Sequence, residues 1–570
     1  MTAKICDTII DSDPPHTDQH PKGSQATVLL SSIFGPYAQD DEYGSRTINP
    51  MELYHNQVTR LQGPFSIRMF HRSCALNLIQ ANINAPCTVL DYPNLERFTQ
   101  ELNQNTYDII GLSAIPPNLK KVMKMCRLIR QHQPKAKIVV GGHIANIAGV
   151  QKKIDADYVV RGDGVQWFRG YLGEDPDQPT CHPLILSAIE PRCMGMKLKV
   201  SSRNTAAVLL PSVGCPLGCD FCSTSAFFGG QGRFVNFYET GDALFDIMHQ
   251  LENEMGVNSF FVMDENFLLH KKRALRLLDL VETHGKTWSF YVFSSVNALL
   301  NYSLDQLVRL GIAWVWIGLE GRNSPYPKLR RVDTKQLVQK LQAEGIVVLG
   351  SSIIGLEDHT TDNLDDEIDW AVDHRTDFHQ FMLKFAPPGT PFHDYLRVNK
   401  RLLEEHEIEI ADVHGQFQFN YRHPHIPPGR ETQWLLKAFQ KDLDDNGPSV
   451  VRLMETALKG WKKNRHHPAR SVRLRYRSGM ENNAVTYASA LWATRLWYRK
   501  NRQMRDWVTR ILNDYYETFG LKSRLLAPFM GVLIFFLLYR ENRRLDGNHT
   551  YEPPTYYETN AKAVCPKSPL

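Results

Sequence analysis

The chain has 570 residues, enough for roughly three or four domains, and its 42% hydrophobic and 22% charged content suits a globular protein with a large core. A formal net charge of +5 is small for this length and excludes polyanion binding by the chain as a whole. Sparse, irregularly spaced cysteines exclude a secreted disulfide scaffold, and the polar, acidic opening residues lack the charged start and apolar core of a signal peptide, so the sequence reads as a protein of the reducing cytoplasm.

Residues 1–23 are polar and proline-bearing and are expected to form a disordered tail. Residues 24–200 hold the first ordered unit and its connector. "ATVLLSSIFGPY" reads as a strand stopped by Gly35 and Pro36, "CTVLDY" as a strand, "NLERFTQELNQ" as a helix, "YDIIGLSAI" as a strand and "NLKKVMKMCRLIRQH" as an amphipathic helix. "AKIVVGGHIAN" and "ADYVVRGDG" are strands running into turns. Short, nearly all-apolar strands alternating with helical periods predict a Rossmann-like parallel sheet covered on both faces. Ligands of such sheets bind beyond the carboxyl ends of the strands. Those ends carry Ser113, Gly141, Gly142, His143, Gly162, Asp163 and Gly164.

A second alternating series occupies residues 201–400. It starts at "TAAVLLPSVGC" and continues through "SFFVMDENF", "WSFYVFSS", "AWVWIGLEG", "IVVLGSSIIGLE" and "FHQFMLKFAPPGTP", with helical segments between. This pattern predicts a full or partial β/α barrel of the TIM type, open at its carboxyl end. Residues 401–545 turn mainly helical and basic, and residues 546–570 are polar and expected to be a disordered tail. No internal repeat of about 20–50 residues is present.

The stretch "PSVGCPLGCDFCSTSAFFGG" places Cys215, Cys219 and Cys222 in one tight loop after the first barrel strand. Thiolates bind zinc or iron–sulfur clusters. Structural zinc asks for four protein ligands, often from paired knuckles, and here there is one loop and no nearby histidine; a cubane held by three thiolates keeps one iron open. The Cys-x3-Cys-x2-Cys loop, with Phe221 before its last cysteine, resembles the radical S-adenosylmethionine (SAM) superfamily. The resemblance implies that Cys215, Cys219 and Cys222 bind a [4Fe–4S] cluster, that SAM chelates the open iron, and that reductive cleavage gives a 5′-deoxyadenosyl radical. It further implies Asp264, Glu265 and Asn266 near the SAM amino group, Ser294 and Ser295 near its ribose or carboxylate, and Glu320 facing the SAM region. "GSSIIGLED" resembles the later strand beside adenine, and "APPGTP" the closing turn of the barrel.

The first unit resembles the cobalamin-binding domain that precedes the barrel in one branch of that superfamily. Small residues at the strand ends would let a flat corrin approach the backbone. The resemblance makes Ser113, Gly141, Gly142, His143, Gly162 and Gly164 the cobalamin-side candidates; His143 could equally cap a helix. The Asp-x-His-x-x-Gly motif that supplies an axial histidine is absent: Asp412 and His414 have the first spacing but not the glycine. In methylating members of the branch, one SAM methylates cob(I)alamin, a second gives the radical, and the substrate radical takes the methyl group from methylcobalamin. The other cysteines (Cys6, Cys74, Cys87, Cys126, Cys181, Cys193 and Cys565) show no cluster spacing.

The carboxyl-terminal helices interleave arginine, lysine, tryptophan and tyrosine ("KGWKKNRHHPARSVRLRYR", "RLWYRKNRQMR"), a mixture compatible with RNA or an anionic membrane. The apolar run Leu525 to Tyr539, interrupted near its start by Pro528 and flanked by Arg524 and Arg540, is short for a bilayer span and reads as a buried helix or an interfacial anchor. The sequence thus predicts a radical SAM enzyme that methylates an inert carbon with cobalamin, on a small-molecule, lipid or polyprenoid substrate. A flavodoxin- or ferredoxin-type donor would supply electrons. The setting is cytoplasmic or peripheral at the inner membrane face, with nucleic acid the weaker partner. The alternatives are radical rearrangement, cyclisation or oxidation without methyl transfer, and a non-catalytic cobalamin or redox sensor.

Overall fold

Five parallel strands form the first sheet: β1 (Val28–Ser32), β2 (Cys87–Asp91), β3 (Ile109–Ser113), β4 (Lys137–Gly141) and β5 (Tyr158–Val159), in the order β2-β1-β3-β4-β5. Leu30 lies opposite Val89 on one side and Gly111 on the other, and Gly111 opposite Val139. The computed structural model describes residues 18–37, 42–43, 57–202, 204–323, 326 and 332–566.

Alternate side chains of each strand enter different layers. Leu29, Leu90, Ile110 and Val140 pack under the helices Leu95–Gln104 and Leu119–His132, while Leu30, Val89, Ile109 and Val139 pack under Cys74–Gln80 and Gly164–Tyr171. Burial on both faces is why these strands read as continuous apolar runs. The chain order reverses between β1 and β3, which opens a crevice at their carboxyl ends, where Ser32 and Ser113 stand.

The second sheet is β6 (Ala207–Leu209), β7 (Ser259–Val262), β8 (Ser289–Ser294), β9 (Ile312–Glu320), β10 (Val347–Ile354) and β11 (Phe378–Leu383), parallel and in sequential order. It is a partial barrel, with helices such as Gly241–Met255, Lys271–Thr283 and Thr334–Ala343 packed outside. Its concave side is aromatic: Trp314 stacks on Phe378 and Phe293 on Trp316. Val58 and Ile67, from the segment before the first sheet's second strand, pack against Val347, Leu349 and Phe378 and fill the lower part.

The region 401–545 begins with a largely irregular stretch to Arg430, then forms helices Glu431–Asn446, Ser449–Asn464, Arg470–Glu481, Ala484–Trp497 and Arg502–Asp546. Part of its basic character is internal. Arg452 pairs with Asp442 at 2.6 Å and Arg475 donates to the Val308 carbonyl at 2.6 Å, both arginines buried. The last helix bends at Gly520 (φ 71°, ψ −154°) and not at Pro528, through which it continues. Glycine takes that left-handed φ without penalty. Beyond it, Ala527 and Gly531 are buried, and a Cβ on Gly531 would lie 2.6 Å from Trp492, so close packing on Ala484–Trp497 carries the helix past the proline.

Both expected tails need correction. Residues 1–17 lie outside the described residues, but 18–23 are tied down: the His20 N–H donates to the Tyr171 carbonyl at 2.7 Å and Lys22 pairs with Asp108 at 2.6 Å. The segment 546–570 is largely structured over its described residues, up to 566. Tyr556–Glu558 adds an antiparallel edge strand to β2, and Ala563–Val564 pairs with His182–Pro183. Arg72 stacks on Tyr556, 4.1 Å from its centroid, and bonds Glu558 and Asp91, while Cys565 forms a disulfide with Cys181. The tail is polar because an edge strand holds on through its backbone and long-range partners, neither of which shows in local composition.

Candidate functional site

The carboxyl ends of both sheets face one cavity of about 920 Å³, the upper range for a pocket that buries a large ligand. Every candidate residue named from the sequence lines it. Cys215, Cys219 and Cys222 contribute one wall; Asp264, Glu265, Asn266, Ser294, Ser295 and Glu320 stand at the barrel strand ends; Ser113, Gly141, Gly142, His143, Gly162 and Gly164 come from the first sheet.

The cysteine loop is built to a fixed shape. Gly218 has φ 65°, and a Cβ there would lie 2.6 Å from Gln231. The Gly232 N–H donates to the Pro216 carbonyl at 2.9 Å, Ser225 Oγ to the Cys215 carbonyl at 3.1 Å, and the Cys222 N–H to the Cys219 carbonyl at 3.0 Å. Cys222 begins the helix Ser223–Phe227, its sulfur accepting from the Ser225 N–H at 3.4 Å. Both halves of the chain brace this loop: Arg161 donates to the Ala226 carbonyl at 2.6 Å, His143 lies against Phe227, and the Phe392 N–H donates to the Asp220 carbonyl at 3.0 Å. Gly389, in the "APPGTP" turn, approaches so closely that a Cβ would sit 2.9 Å from the Asn146 carbonyl oxygen.

Burial pushes the Cys215 thiol up to about 11, with Cys222 and Cys219 adding to the rise. The Cys215 thiol therefore holds its proton at neutral pH, and metal binding must displace it. Among the described residues no group of three or more His, Cys, Asp or Glu side chains could hold a single metal ion. Three thiols of one loop lining one cavity fit a cluster that takes three protein thiolates and keeps one iron open.

The acidic strand end separates into two roles. Asp264 is buried and engaged: Arg273 Nη2 donates to its Oδ2 at 2.7 Å, Ser212 Oγ donates to the same oxygen, and the Asn266 N–H donates to Oδ1 at 3.0 Å. Glu265 differs, since its Oε2 is buried without a hydrogen-bond partner. Burial, reinforced by the negative charge of Asp264, pushes its carboxyl up to about 7. The Glu265 carboxylate accepts backbone N–H bonds, from its own residue and from Gly214, but a buried carboxylate oxygen left open on a cavity wall favours a cationic ligand such as an ammonium.

Asn266, Ser294 and Ser295 are buried and bonded to one another. Asn266 Oδ1 accepts from the Ser295 N–H at 3.0 Å and from Ser294 Oγ at 3.2 Å, and its Nδ2 donates to Ser295 Oγ at 2.9 Å. They lock the ends of β7 and β8 together. Glu320 is buried at a register shift between β9 and β10 and has φ 57°, unusual for a non-glycine residue. That conformation costs on the order of 1–3 kcal/mol and is typical of functional sites.

Gly142 shows why the first sheet ends in glycine. Its backbone (φ 83°, ψ −176°) is essentially closed to other residues, and a Cβ would lie 2.5 Å from the Ala114 carbonyl oxygen. Asp163 caps the helix Gly164–Tyr171, accepting from the Val165 and Gln166 N–H groups. His143 is the one histidine on the cavity wall among the described residues; its Nδ1 has no partner and burial lowers it to about 4, so the ring is neutral. Neither Asp412 nor His414 lines the cavity.

Sequence reading missed the helix Cys74–Gln80, which lines the cavity with Cys74, Leu76 and Leu78. Seven residues give too short a period to stand out. Burial pushes the Cys74 thiol up to about 12 and keeps it neutral. It also passed over the apolar wall opposite the glycines, which includes Met263, Phe293, Trp316 and Met382.

Comparison with known proteins gives two family matches: residues 66–172 to the B12 binding domain and residues 209–371 to the Radical SAM superfamily. An uncharacterized methyltransferase of Pyrococcus horikoshii is 25% identical over 334 residues, covering 52% of this chain and 71% of the relative. Bacteriochlorophyllide d C-12(1)-methyltransferase of Chlorobaculum tepidum is 23% identical over 312 residues, covering 51% of this chain and 66% of the relative. Among solved structures, the radical SAM methyltransferase TsrM from Kitasatospora setae, with cobalamin and a [4Fe–4S] cluster bound, aligns over 80% of this chain and 99% of its own at 13% identity, with a TM-score of 0.48.

Proposed function

We propose that the chain, which matches the B12 binding domain over residues 66–172 and the Radical SAM superfamily over residues 209–371, is a cobalamin-dependent radical SAM methylase acting on an unactivated carbon of a large, mostly apolar substrate, of lipid or polyprenoid class. One observation supports this reading most: a single cavity is shared by the three cysteines, Glu265 with its open Oε2, and the glycine ends of the first sheet. A methylase of this kind needs cluster, SAM and corrin within reach of one substrate. The bound groups supply a carbon-centred oxidant for hydrogen abstraction and a carrier for the methyl group.

The residues divide the remaining work. Cys215, Cys219 and Cys222 hold the cluster, and Glu265 takes the SAM ammonium. Asp264, anchored by Arg273, fixes the loop that presents Glu265. Asn266, Ser294 and Ser295 set the strand ends against which the rest of SAM lies, and Glu320 closes that side. Ser113, Gly141, Gly142, His143, Gly162 and Gly164 would form the corrin bed. Phe293 and Trp316 stack 5.0 Å apart on the concave face and offer the substrate an apolar wall that excludes water from the radical. A small flavodoxin- or ferredoxin-type protein supplies the electron.

The test is isotopic. Cells expressing the chain are fed methionine carrying a CD3 group, and their lipids and metabolites are compared with those of cells expressing Cys222→Ala. A product bearing CD3 in the first and absent from the second supports methylation. A product that depends on Cys222 but contains no CD3 overturns it in favour of rearrangement, cyclisation or oxidation.

A further inference from the structure

Beyond the reaction itself, we infer that the helix after Gly520 is an in-plane docking surface for an anionic lipid membrane. Leu521, Leu525, Phe529, Val532, Leu533 and Phe536 are exposed on it, Phe529 to 81% and Leu525 to 58%. Positions spaced by three and four residues share a helix face, so these side chains form one bare stripe. From Leu521 to Tyr539 it runs about 27 Å at 1.5 Å per residue. So large a contiguous apolar surface marks an interaction site.

The other face is occupied. Ser523, Ala527, Gly531, Ile534 and Leu538 are buried, with Ala527, Ile534 and Leu538 in the same core as Ala488 and Leu491 of the preceding helix. The hairpin of strands Ile189–Cys193 and Met196–Lys197 also seats here, close enough that a Cβ on Gly195 would lie 2.4 Å from the Leu537 carbonyl oxygen. By length and composition alone this is a helix that could cross a membrane. Packing along one side turns it instead into a half-immersed helix, apolar toward lipid and fixed to protein behind.

Charge selects the occupant. Lys522 and Arg524 are exposed at one end, and Arg540 and Arg543 at the other. No acidic residue occurs between Leu521 and Arg540, and the next, Glu541, is buried beneath Tyr551. Basic ends around an apolar middle match anionic headgroups around acyl chains. A second copy of the helix, parallel or antiparallel, would bring basic ends against basic ends. RNA offers phosphates but nothing to cover Leu525, Val532 and Leu533.

The full-length protein is sedimented with vesicles of phosphatidylcholine containing phosphatidylglycerol, and with vesicles of phosphatidylcholine alone. At least tenfold stronger binding to the anionic vesicles is expected, reduced only partly by high salt. Phe529→Asp with Phe536→Asp should lower binding to background without shifting the melting temperature, since both side chains already face solvent. Arg540→Glu with Arg543→Glu should abolish the preference for anionic lipid. Absence of vesicle binding by the wild type overturns the inference. So does concentration-dependent self-association that Phe529→Asp relieves, and so does displacement from vesicles by RNA at equal phosphate concentration. None of these readouts depends on catalysis, so the docking surface and the methylase reading stand or fall separately.

Discussion

Arg273→Met tests whether Asp264 is an anchor rather than a ligand. Both side chains of the Arg273–Asp264 pair are 2% exposed, and Arg273 also donates to Asn236 Oδ1 at 3.2 Å and lies over the Phe267 ring. Removing one member of a buried pair costs about 3–5 kcal/mol, because the remaining charge keeps its desolvation penalty without compensation. Asp264 would retain its bonds from Ser212 and the Asn266 N–H, which places the expected cost near the lower bound, about 3 kcal/mol. Methionine fills the volume of the arginine stem, so packing loss contributes little. Adding Asp264→Asn removes the stranded charge and should recover about 1–2 kcal/mol, a coupling typical of residues in contact. The assay is thermal and urea unfolding of the anaerobic apoprotein, wild type, two single variants and the double, alongside SAM binding. The single Arg273→Met change should weaken SAM binding as well, since the loop carrying Glu265 loses its tether. Additive effects in the cycle, or an Arg273→Met variant as stable as wild type, would refute the anchor.

Replacing Cys215, Cys219 or Cys222 with alanine should remove the iron absorbance of anaerobically purified protein and abolish 5′-deoxyadenosine formation, measured by chromatography. Glu265→Gln should weaken SAM binding by about ten- to a hundredfold, the worth of a charge-assisted hydrogen bond of about 1.5–3 kcal/mol. It should not lower the melting temperature, because it removes a buried carboxyl that has no partner on Oε2. Gly142→Ala should cost at least about 1–3 kcal/mol from its backbone conformation alone and reduce the corrin retained through gel filtration. Retention of full corrin by a folded Gly142→Ala protein would remove Gly142 from the bed.

Contiguous features were the legible ones. The three cysteines sit within eight residues, and the turn glycines follow the strands that present them, so each could be found from local pattern. The parallel strands were readable because both faces are buried, which keeps Val, Ile and Leu continuous along β1, β3 and β4. Side-chain engagement was not readable. That Asp264 is held by Arg273 while Oε2 of Glu265 is left open depends on where the helix Lys271–Thr283 turns its first residues. The edge strand Tyr556–Glu558 lies 465 positions beyond its partner in the Tyr556–Asp91 register, and its polar composition resembles a tail. The run from Leu525 to Tyr539 carried no sign of which face would be covered. The burial of Ala527, Ile534 and Leu538, with Gly531 against Trp492 and Gly195 against Leu537, settles that.

The central claim is that one cavity brings the cluster and the corrin to the same substrate. Pulsed electron paramagnetic resonance on protein holding the reduced cluster and cob(II)alamin measures it directly, because both centres carry unpaired electrons. The arrangement of Cys215, Cys219 and Cys222 opposite Gly141 and Gly142 predicts a strong dipolar coupling, absent in Cys222→Ala. Two fully loaded cofactors with no measurable coupling would place them in separate sites and contradict the account.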